Sequence, residues 1–185
     1  MKILSQRSPT WSGVRIGKAQ IYMYRYGCTI TCCSMLTDYF SKYNGTYKDP
    51  GHLARALQFT LQGLIIWQSL PNETQFKLEK RLKHRSDSSI QKSLNNPYTA
   101  VILQVDGYHW VLATGKSLGG HYKIADPWTG KRSTTKAYGS ITGSAHMKLT
   151  VIPKIEEPKW IGKKKKATWI STLIKKLQWL LTRKK

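Results

Sequence analysis

Acidic residues are scarce in this chain. Its 185 residues include nine Asp and Glu but 31 Lys and Arg, so the formal net charge at pH 7 is +22. A charge this large and of one sign indicates polyanionic surroundings, which are nucleic acid, an anionic membrane or a bacterial wall polymer. The charge alone does not indicate which of these three polyanions the protein meets. Apolar and aromatic content is ordinary, so we expect one compact domain and an appendage.

Cysteine is also rare, and its three copies lie within six residues, at Cys28, Cys32 and Cys33. A cluster of this kind cannot cross-link distant parts of a fold, so no disulfide framework is expected. The five histidines show no metal-ligand spacing with the cluster. We therefore expect neither a metal site nor a cofactor.

Long apolar runs are missing as well. No stretch of about 18 apolar residues occurs, so no membrane-spanning helix is expected. The first residues, 1–6, lack the apolar segment of a secretory signal peptide, and we expect none.

The stretch around Gly27 carries the first chemical signal. Glycine permits a sharp turn there, and apolar residues then recur at helical spacing, which predicts a helix over Cys28–Phe40. Cys28 falls in its first turn, where unpaired N–H groups favour the thiolate, the nucleophilic form of cysteine. Cys32 and Cys33 have the positions of small core residues. A cysteine near a helix start is also commonly a packing residue, so this stretch alone does not establish Cys28 as a nucleophile.

Helices come first in the predicted order of elements, and strands follow. A second helix is predicted from Asp49 to about Gln62, then a polar stretch over 71–85 and one or two helical turns over 90–94. After Pro97 the pattern becomes β-branched and apolar, with a tight turn at Asp106-Gly107. The predicted strands cover 98–105, 108–114, 121–125 and 145–152. This order predicts an α+β fold in which N-terminal helices pack on an antiparallel sheet.

Residues 154–185 differ in kind, so we place a domain boundary after residue 153. They hold eleven Lys and Arg against two Glu. An apolar stripe at helical spacing predicts a basic amphipathic helix. Such a helix suits an anionic layer, whether membrane, wall polymer or nucleic acid. The alternatives are that it packs on the main domain, docks on a partner chain or a virion, or disrupts membranes by itself. The side chains expected to meet the anionic surface are Lys163, Lys164, Lys165, Lys166, Trp169, Lys175, Lys176 and Trp179.

Two further residues fit the requirements of a thiol peptidase, which needs a nucleophile, a base and a group that orients the base. His109 follows the tight turn on a predicted strand, with Trp110 directed to the opposite face. Asp126 lies at the end of the next predicted strand. Neighbouring strands of a sheet lie about 4.8 Å apart, so its carboxylate could reach the His109 ring. The spacing permits a Cys28–His109–Asp126 triad. Taken singly, His109 is also typical of a packed histidine and Asp126 of a turn.

Several short motifs resemble one family. They are Gly27-Cys28-x-x-Thr31-x-x-x-Met35, His109-Trp110-Val111, Ile124-x-Asp126-Pro127 and the opening Ser5-Gln6-Arg7-Ser8-Pro9-x-Trp11. Together they resemble the papain-like cysteine peptidases related to bacteriocin-processing (double-glycine leader) peptidases, in the stand-alone branch found in bacteriophages and bacteria. The resemblance covers roughly residues 4–153, with Tyr138 and Ile141-x-Gly143 fitting the family's closing region, and leaves out the tail.

The resemblance implies a papain-like fold with Cys28 as nucleophile, His109 as general base and acid, and Asp126 as orienting group. It also implies a glutamine upstream of the cysteine that binds the oxyanion. Gln20 is the preferred candidate for that role and Gln6 the alternative.

The implied function is a cysteine hydrolase that cleaves amide bonds in protein or in cell-wall peptide, in a virion or in host cytoplasm. The alternative is a catalytically silent virion or structural protein that binds a polyanion through its positive charge.

Overall fold

The computed structural model describes residues 1–43, 45–117 and 119–150. They form a mixed helix and antiparallel-sheet domain, which confirms the predicted α+β class. The amphipathic helix predicted within 154–185, with the basic run Lys163 to Lys166, lies outside the described residues. The helices are α1 (Met23–Tyr26), α2 (Cys28–Phe40), α3 (Pro50–Ala56), α4 (Leu70–Glu73) and α5 (Asp87–Leu94). The strands are β1 (Phe76–Leu82), β2 (Thr99–Val105), β3 (His109–Lys116), β4 (Tyr122–Asp126), β5 (Lys131–Thr134) and β6 (Ile141–Leu149).

A single six-stranded sheet holds all of these strands, in the order β1-β6-β2-β3-β4-β5, and every neighbouring pair is antiparallel. Strands β2 to β5 follow one another as the predicted meander. The last strand, β6, does not continue at the edge but returns between β1 and β2. Among the described residues, no helix combines the length and the hydropathy that a bilayer crossing requires.

Strand β1 corrects the sequence analysis, which described residues 71–85 only as a polar stretch. Its burial alternates along Phe76–Leu82, with Phe76, Leu78 and Leu82 turned inward and charged residues between them. Alternation of this kind is the period of a half-buried strand. The signal is weak because β1 is an edge strand, and charged side chains are favoured there as protection against pairing with another chain.

Helices cover both faces of the sheet. On one face α2 and α3 pack over β-strand side chains that include Ile102, Leu112 and Ala145. On the other face Ile90 of α5 packs with Val101 and its neighbours. Because alternate residues of β2 enter different cores, both faces of that strand are apolar, which explains its nearly continuous apolar sequence.

Helix α3 begins as predicted but ends early. The Asp49 carboxylate accepts a hydrogen bond from the backbone N–H of His52 at 2.9 Å, and Pro50 occupies the first helical position. The helix was predicted to reach about Gln62 but ends at Ala56, because Leu57 is already extended. Residues 58–66 instead fold back as a small loop, closed by the isolated bridge between Phe59 and Ile65.

Candidate active site

Helix α2 and the sheet meet at one end, and three predicted site residues lie there. Cys28 is the first residue of α2 and is about 9% exposed. His109 is the first residue of β3, and Asp126 is the last residue of β4. Strands β3 and β4 pair with Leu112 opposite Ala125. If that register continues, Asp126 lies opposite Val111, two residues along β3 from His109 and on the same face of the sheet. Diagonal neighbours of this kind are within side-chain reach of each other.

His109 and Asp126 form a buried pair. The imidazole Nε2 lies 2.9 Å from Oδ1 of Asp126, at hydrogen-bonding distance, and both side chains are at most 10% exposed. This bond places the proton on Nε2, so the other ring nitrogen, Nδ1, is the one free to exchange a proton with a neighbour.

Asp126 is held by four donors. Oδ1 accepts from His109 and from the backbone N–H of Trp128 at 2.9 Å, while Oδ2 accepts from the Tyr138 hydroxyl at 2.9 Å and from Thr129 at 3.2 Å. Burial opposes the carboxylate charge, but the bonds from His109, Trp128 and Tyr138 outweigh it and lower the pKa of Asp126 below its usual value. The charged form is therefore fixed in one orientation.

Cys28 and His109 line the same cleft, and Cys28 influences the charge of the His109 ring. Burial is the largest single effect and lowers the pKa of His109, but the hydrogen bond to Asp126 and the neighbouring Cys28 outweigh it and raise the pKa to about 9. The imidazolium form of His109 is therefore favoured at neutral pH.

The other two cysteines are buried in the core on the α2 side. Cys32 and Cys33 are 0% exposed, and the Cys32 thiol donates to the backbone carbonyl of Trp110 at 3.6 Å. Burial raises the pKa of Cys33 to about 12 and raises that of Cys32 as well. Both stay protonated and unreactive at neutral pH.

A cleft of about 720 Å³ opens onto Cys28 and His109. One wall is the 58–66 loop, through Phe59, Leu64 and Ile65. Six aromatic side chains also line the cleft: Tyr26, Trp67, Tyr108, Trp110, Trp128 and Tyr138. A cleft of this size accommodates several residues of an extended peptide, with the two reactive side chains accessible from it.

The two candidate glutamines lie in different environments. Gln20 is exposed, and neither Gln20 nor Gln6 is among the residues that line the cleft. Gln6 is 1% exposed. Its backbone N–H donates to the carbonyl of Pro127 at 2.8 Å, and its side-chain Nε2 donates to the carbonyl of Tyr24 at 3.1 Å. Gln6 thus lies between the segment before Cys28 and the residue after Asp126.

Sequence reasoning did not identify three side chains of this site. Tyr138 bonds Asp126 and its ring centroid lies 5.7 Å from that of His109. Trp67 contacts Trp110 edge-on, and Arg81 lies over the same Trp110 ring. Trp67 and Arg81 have no sequence signal beyond being aromatic or basic, and Tyr138 has only its fit to the closing region of the resembled family. Tertiary packing brings the three together from separate parts of the chain.

Within the part of the chain that the structure describes, no group of three or more His, Cys, Asp or Glu side chains is arranged to hold a metal ion. No family model matches the sequence, and no curated protein matches it at a significant level. The residues and their geometry are therefore the evidence for function.

Proposed function

We propose that the protein is a cysteine hydrolase that cleaves amide bonds through a Cys28–His109–Asp126 triad. The observation that carries this proposal is the position of His109, which bonds Asp126 through Nε2 and lines the same cleft as Cys28, the first residue of α2. A nucleophile, a base and an orienting group in that sequence are the requirements of covalent thiol catalysis.

The reaction follows from this arrangement. The Cys28 thiolate attacks the carbonyl carbon, forming the S–C bond, and the electron pair of the carbonyl moves to oxygen. When the tetrahedral intermediate collapses, the C–N bond breaks and imidazolium His109 gives its Nδ1 proton to the leaving amine. Water then gives a proton back to His109 and attacks the thioester, which releases the acid and regenerates Cys28. Asp126 stays ionised and holds the ring orientation.

The oxyanion of the tetrahedral intermediate is stabilised by hydrogen-bond donors. The backbone N–H of Cys28 belongs to the first turn of α2, where N–H groups have no partner within the helix. Gln6 is the better candidate for the second donor, since its amide is buried beside the segment that leads into Cys28. The Tyr24 carbonyl accepts one of the two Nε2 hydrogens, and we assign the second to the oxyanion.

We further propose that the domain is papain-like and related to the stand-alone branch of bacteriocin-processing peptidases. The motifs around Cys28, His109 and Asp126 support this, as does a helix that starts with the cysteine and packs on an antiparallel sheet. Protein or the peptide of bacterial cell wall is the proposed substrate. A virion or host-cytoplasm location belongs to the same proposal.

A second function is favoured by charge. The net charge is +22, and Lys131 and Arg132 are exposed on the edge strand β5. A catalytically silent protein with this surface would bind a polyanion, and its affinity would fall steeply with salt. Cys28→Ala separates the two functions, because it abolishes hydrolysis and leaves polyanion binding intact.

The test of the hydrolase is thiol alkylation with iodoacetamide at graded pH, read by peptide mass spectrometry, on the wild type and His109→Ala. Selective labelling of Cys28 near neutral pH, lost in His109→Ala, is the expected result. Labelling of Cys28 only above about pH 8.5, as in a free thiol, would overturn it. Cys32 and Cys33 in the same peptide digest are internal controls.

A further inference from the structure

The described walls of the cleft contain arginines but no acidic side chain. Arg25, from α1, and Arg81, from β1, lie among the lining residues. Within the described residues, neither guanidinium takes part in an ion pair with Asp or Glu. Both arginines are exposed, so solvent screens their charge, but two cations on the walls of one cleft still favour an anionic group there.

Both guanidinium groups lie over aromatic rings. The guanidinium carbon of Arg81 is 5.3 Å from the centroid of Trp110, and that of Arg25 is 5.7 Å from the centroid of Tyr26. Trp110 is itself supported edge-on by Trp67 at 6.0 Å. A stacked guanidinium is held by its face and keeps its N–H edge free for the two parallel bonds that a carboxylate accepts.

The remaining walls are apolar and partly open to solvent. Leu64, in the 58–66 loop, is 67% exposed, and Tyr108 is 78% exposed. The loop is held by backbone hydrogen bonds from Thr60 to Leu64 and from Ile66 to Gln58, each 2.9 Å. Exposed apolar side chains at the rim of a cleft are typical of a surface that a ligand covers.

From these features we infer that the cleft selects peptides in which an acidic side chain lies beside apolar residues, close to the bond that is cut. Arg25 and Arg81 bind the carboxylate, and the 58–66 loop with Tyr108 contacts the apolar residues. This inference rests on the proposed hydrolase and names the substrate class of the same site. Other polyanions would engage the general basic surface and would not depend on these two arginines.

The experiment uses a library of matched peptides that differ by Glu against Gln at one position, with free and amidated C-termini. It is digested with the full-length wild type, Arg25→Gln, Arg81→Gln, the double variant and Arg132→Gln, and cleavage is read by mass spectrometry. Arg132 is exposed on β5 outside the cleft and controls for overall charge. We expect the wild type and Arg132→Gln to cleave Glu peptides about tenfold faster, as one charge-assisted bond allows, and the double variant to lose most of that ratio.

An equal loss in Arg132→Gln, or a Glu to Gln ratio near one in the wild type, would overturn the inference. A preference that follows the free C-terminus and ignores the side chain would also overturn it, since the ligand would then be a terminal carboxylate.

A direct binding measurement keeps this inference separate from the hydrolase itself. Fluorescence polarisation of the labelled Glu and Gln peptides on Cys28→Ala needs no turnover. Tighter binding of the Glu peptide, reduced in Cys28→Ala/Arg25→Gln/Arg81→Gln, supports the acidic-peptide cleft even if the thiol assay fails. Equal affinity of the two peptides on Cys28→Ala rejects it, even if the wild type is an active hydrolase.

Discussion

The Tyr138 hydroxyl donates a hydrogen bond to Oδ2 of Asp126, opposite the oxygen that bonds His109, and both bonds are 2.9 Å long. Tyr138 comes from the 3₁₀ turn region after β5, and its hydroxyl makes Asp126 the meeting point of three segments. Burial and the neighbouring carboxylate raise the pKa of Tyr138, so it stays a donor over the working pH range. The orientation of the base thus depends on a residue outside the triad.

Tyr138→Phe is expected to weaken the site without breaking it. The change removes one bond to a charged carboxylate, roughly 1.5 to 3 kcal/mol, while three donors remain on Asp126. Because Asp126 becomes easier to protonate, we expect the acid limb of the pH–rate profile to move to higher pH and the rate at neutral pH to fall several-fold. The pH dependence of Cys28 alkylation measures this. An unchanged acid limb would mean that Tyr138 only packs against His109.

Asp126→Asn tests the orienting role directly. The amide cannot stabilise the imidazolium, so the pKa of His109 falls from about 9 toward its usual value. We expect hydrolysis to drop by roughly 10² to 10⁴, the usual scale of an acid–base contribution. Asp38→Asn is the matched control, because Asp38 is a surface carboxylate paired with the N-terminus. Comparable rates for Asp126→Asn and the control would exclude the triad.

The glutamines provide a paired test of the oxyanion donor. Gln6→Ala should reduce hydrolysis by about 10² to 10³, as loss of one oxyanion donor does, while Cys28 alkylation stays fast because alkylation forms no oxyanion. Gln20→Ala is measured beside it on the same peptides. If Gln20→Ala has the larger effect on hydrolysis, the assignment of Gln6 is wrong. Circular dichroism of both variants excludes misfolding as the cause.

The sequence predicted the helix of Cys28 well and the complete site poorly. The helix is encoded by neighbouring residues, whereas several site residues are brought together only by long-range strand pairing. Helix α2 is encoded locally, by a glycine followed by apolar residues at helical period, and it begins at Cys28 and ends at Phe40 as predicted. The position of β1 beside β6 depends on pairing across about 65 residues of chain. Lys80, partly buried at an inward position between Leu78 and Leu82, hides the alternation. Arg81 reaches the cleft only through that pairing, so no local pattern identifies it.

His109 is expected to make stability fall as pH rises through the alkaline range. Its pKa is about 9 in the folded protein against 6.5 for an unperturbed histidine, so the folded state holds a proton that the unfolded state has released. The stabilisation is complete below pH 6.5 and is lost as pH approaches and passes about 9. Urea unfolding of the wild type and His109→Gln at pH 6 and pH 10 should show a larger difference at pH 6. Equal differences at both pH values would contradict the raised pKa.

His146 is expected to make stability fall as pH falls through the acid range, which is the opposite of the dependence expected from His109. It is 0% exposed in β6 between the hydroxyls of Ser93 and Ser144, at 2.8 and 2.9 Å. Burial, together with Lys80, lowers its pKa to about 4, so between about pH 6.5 and 4 the unfolded state binds the proton more readily. Stability from this residue is complete above pH 6.5 and falls with pH, by up to about 3 kcal/mol at pH 4. Urea unfolding from pH 7 to pH 4 should show this slope in the wild type and in His121→Gln, whose histidine is exposed, and a flatter one in His146→Gln. Ser93 of α5 and Ser144 of β6 both bond the neutral ring, so protonation of His146 would disturb two elements at once. If the free energy of unfolding of His146→Gln depends on pH as that of the wild type does, this network does not limit stability in acid.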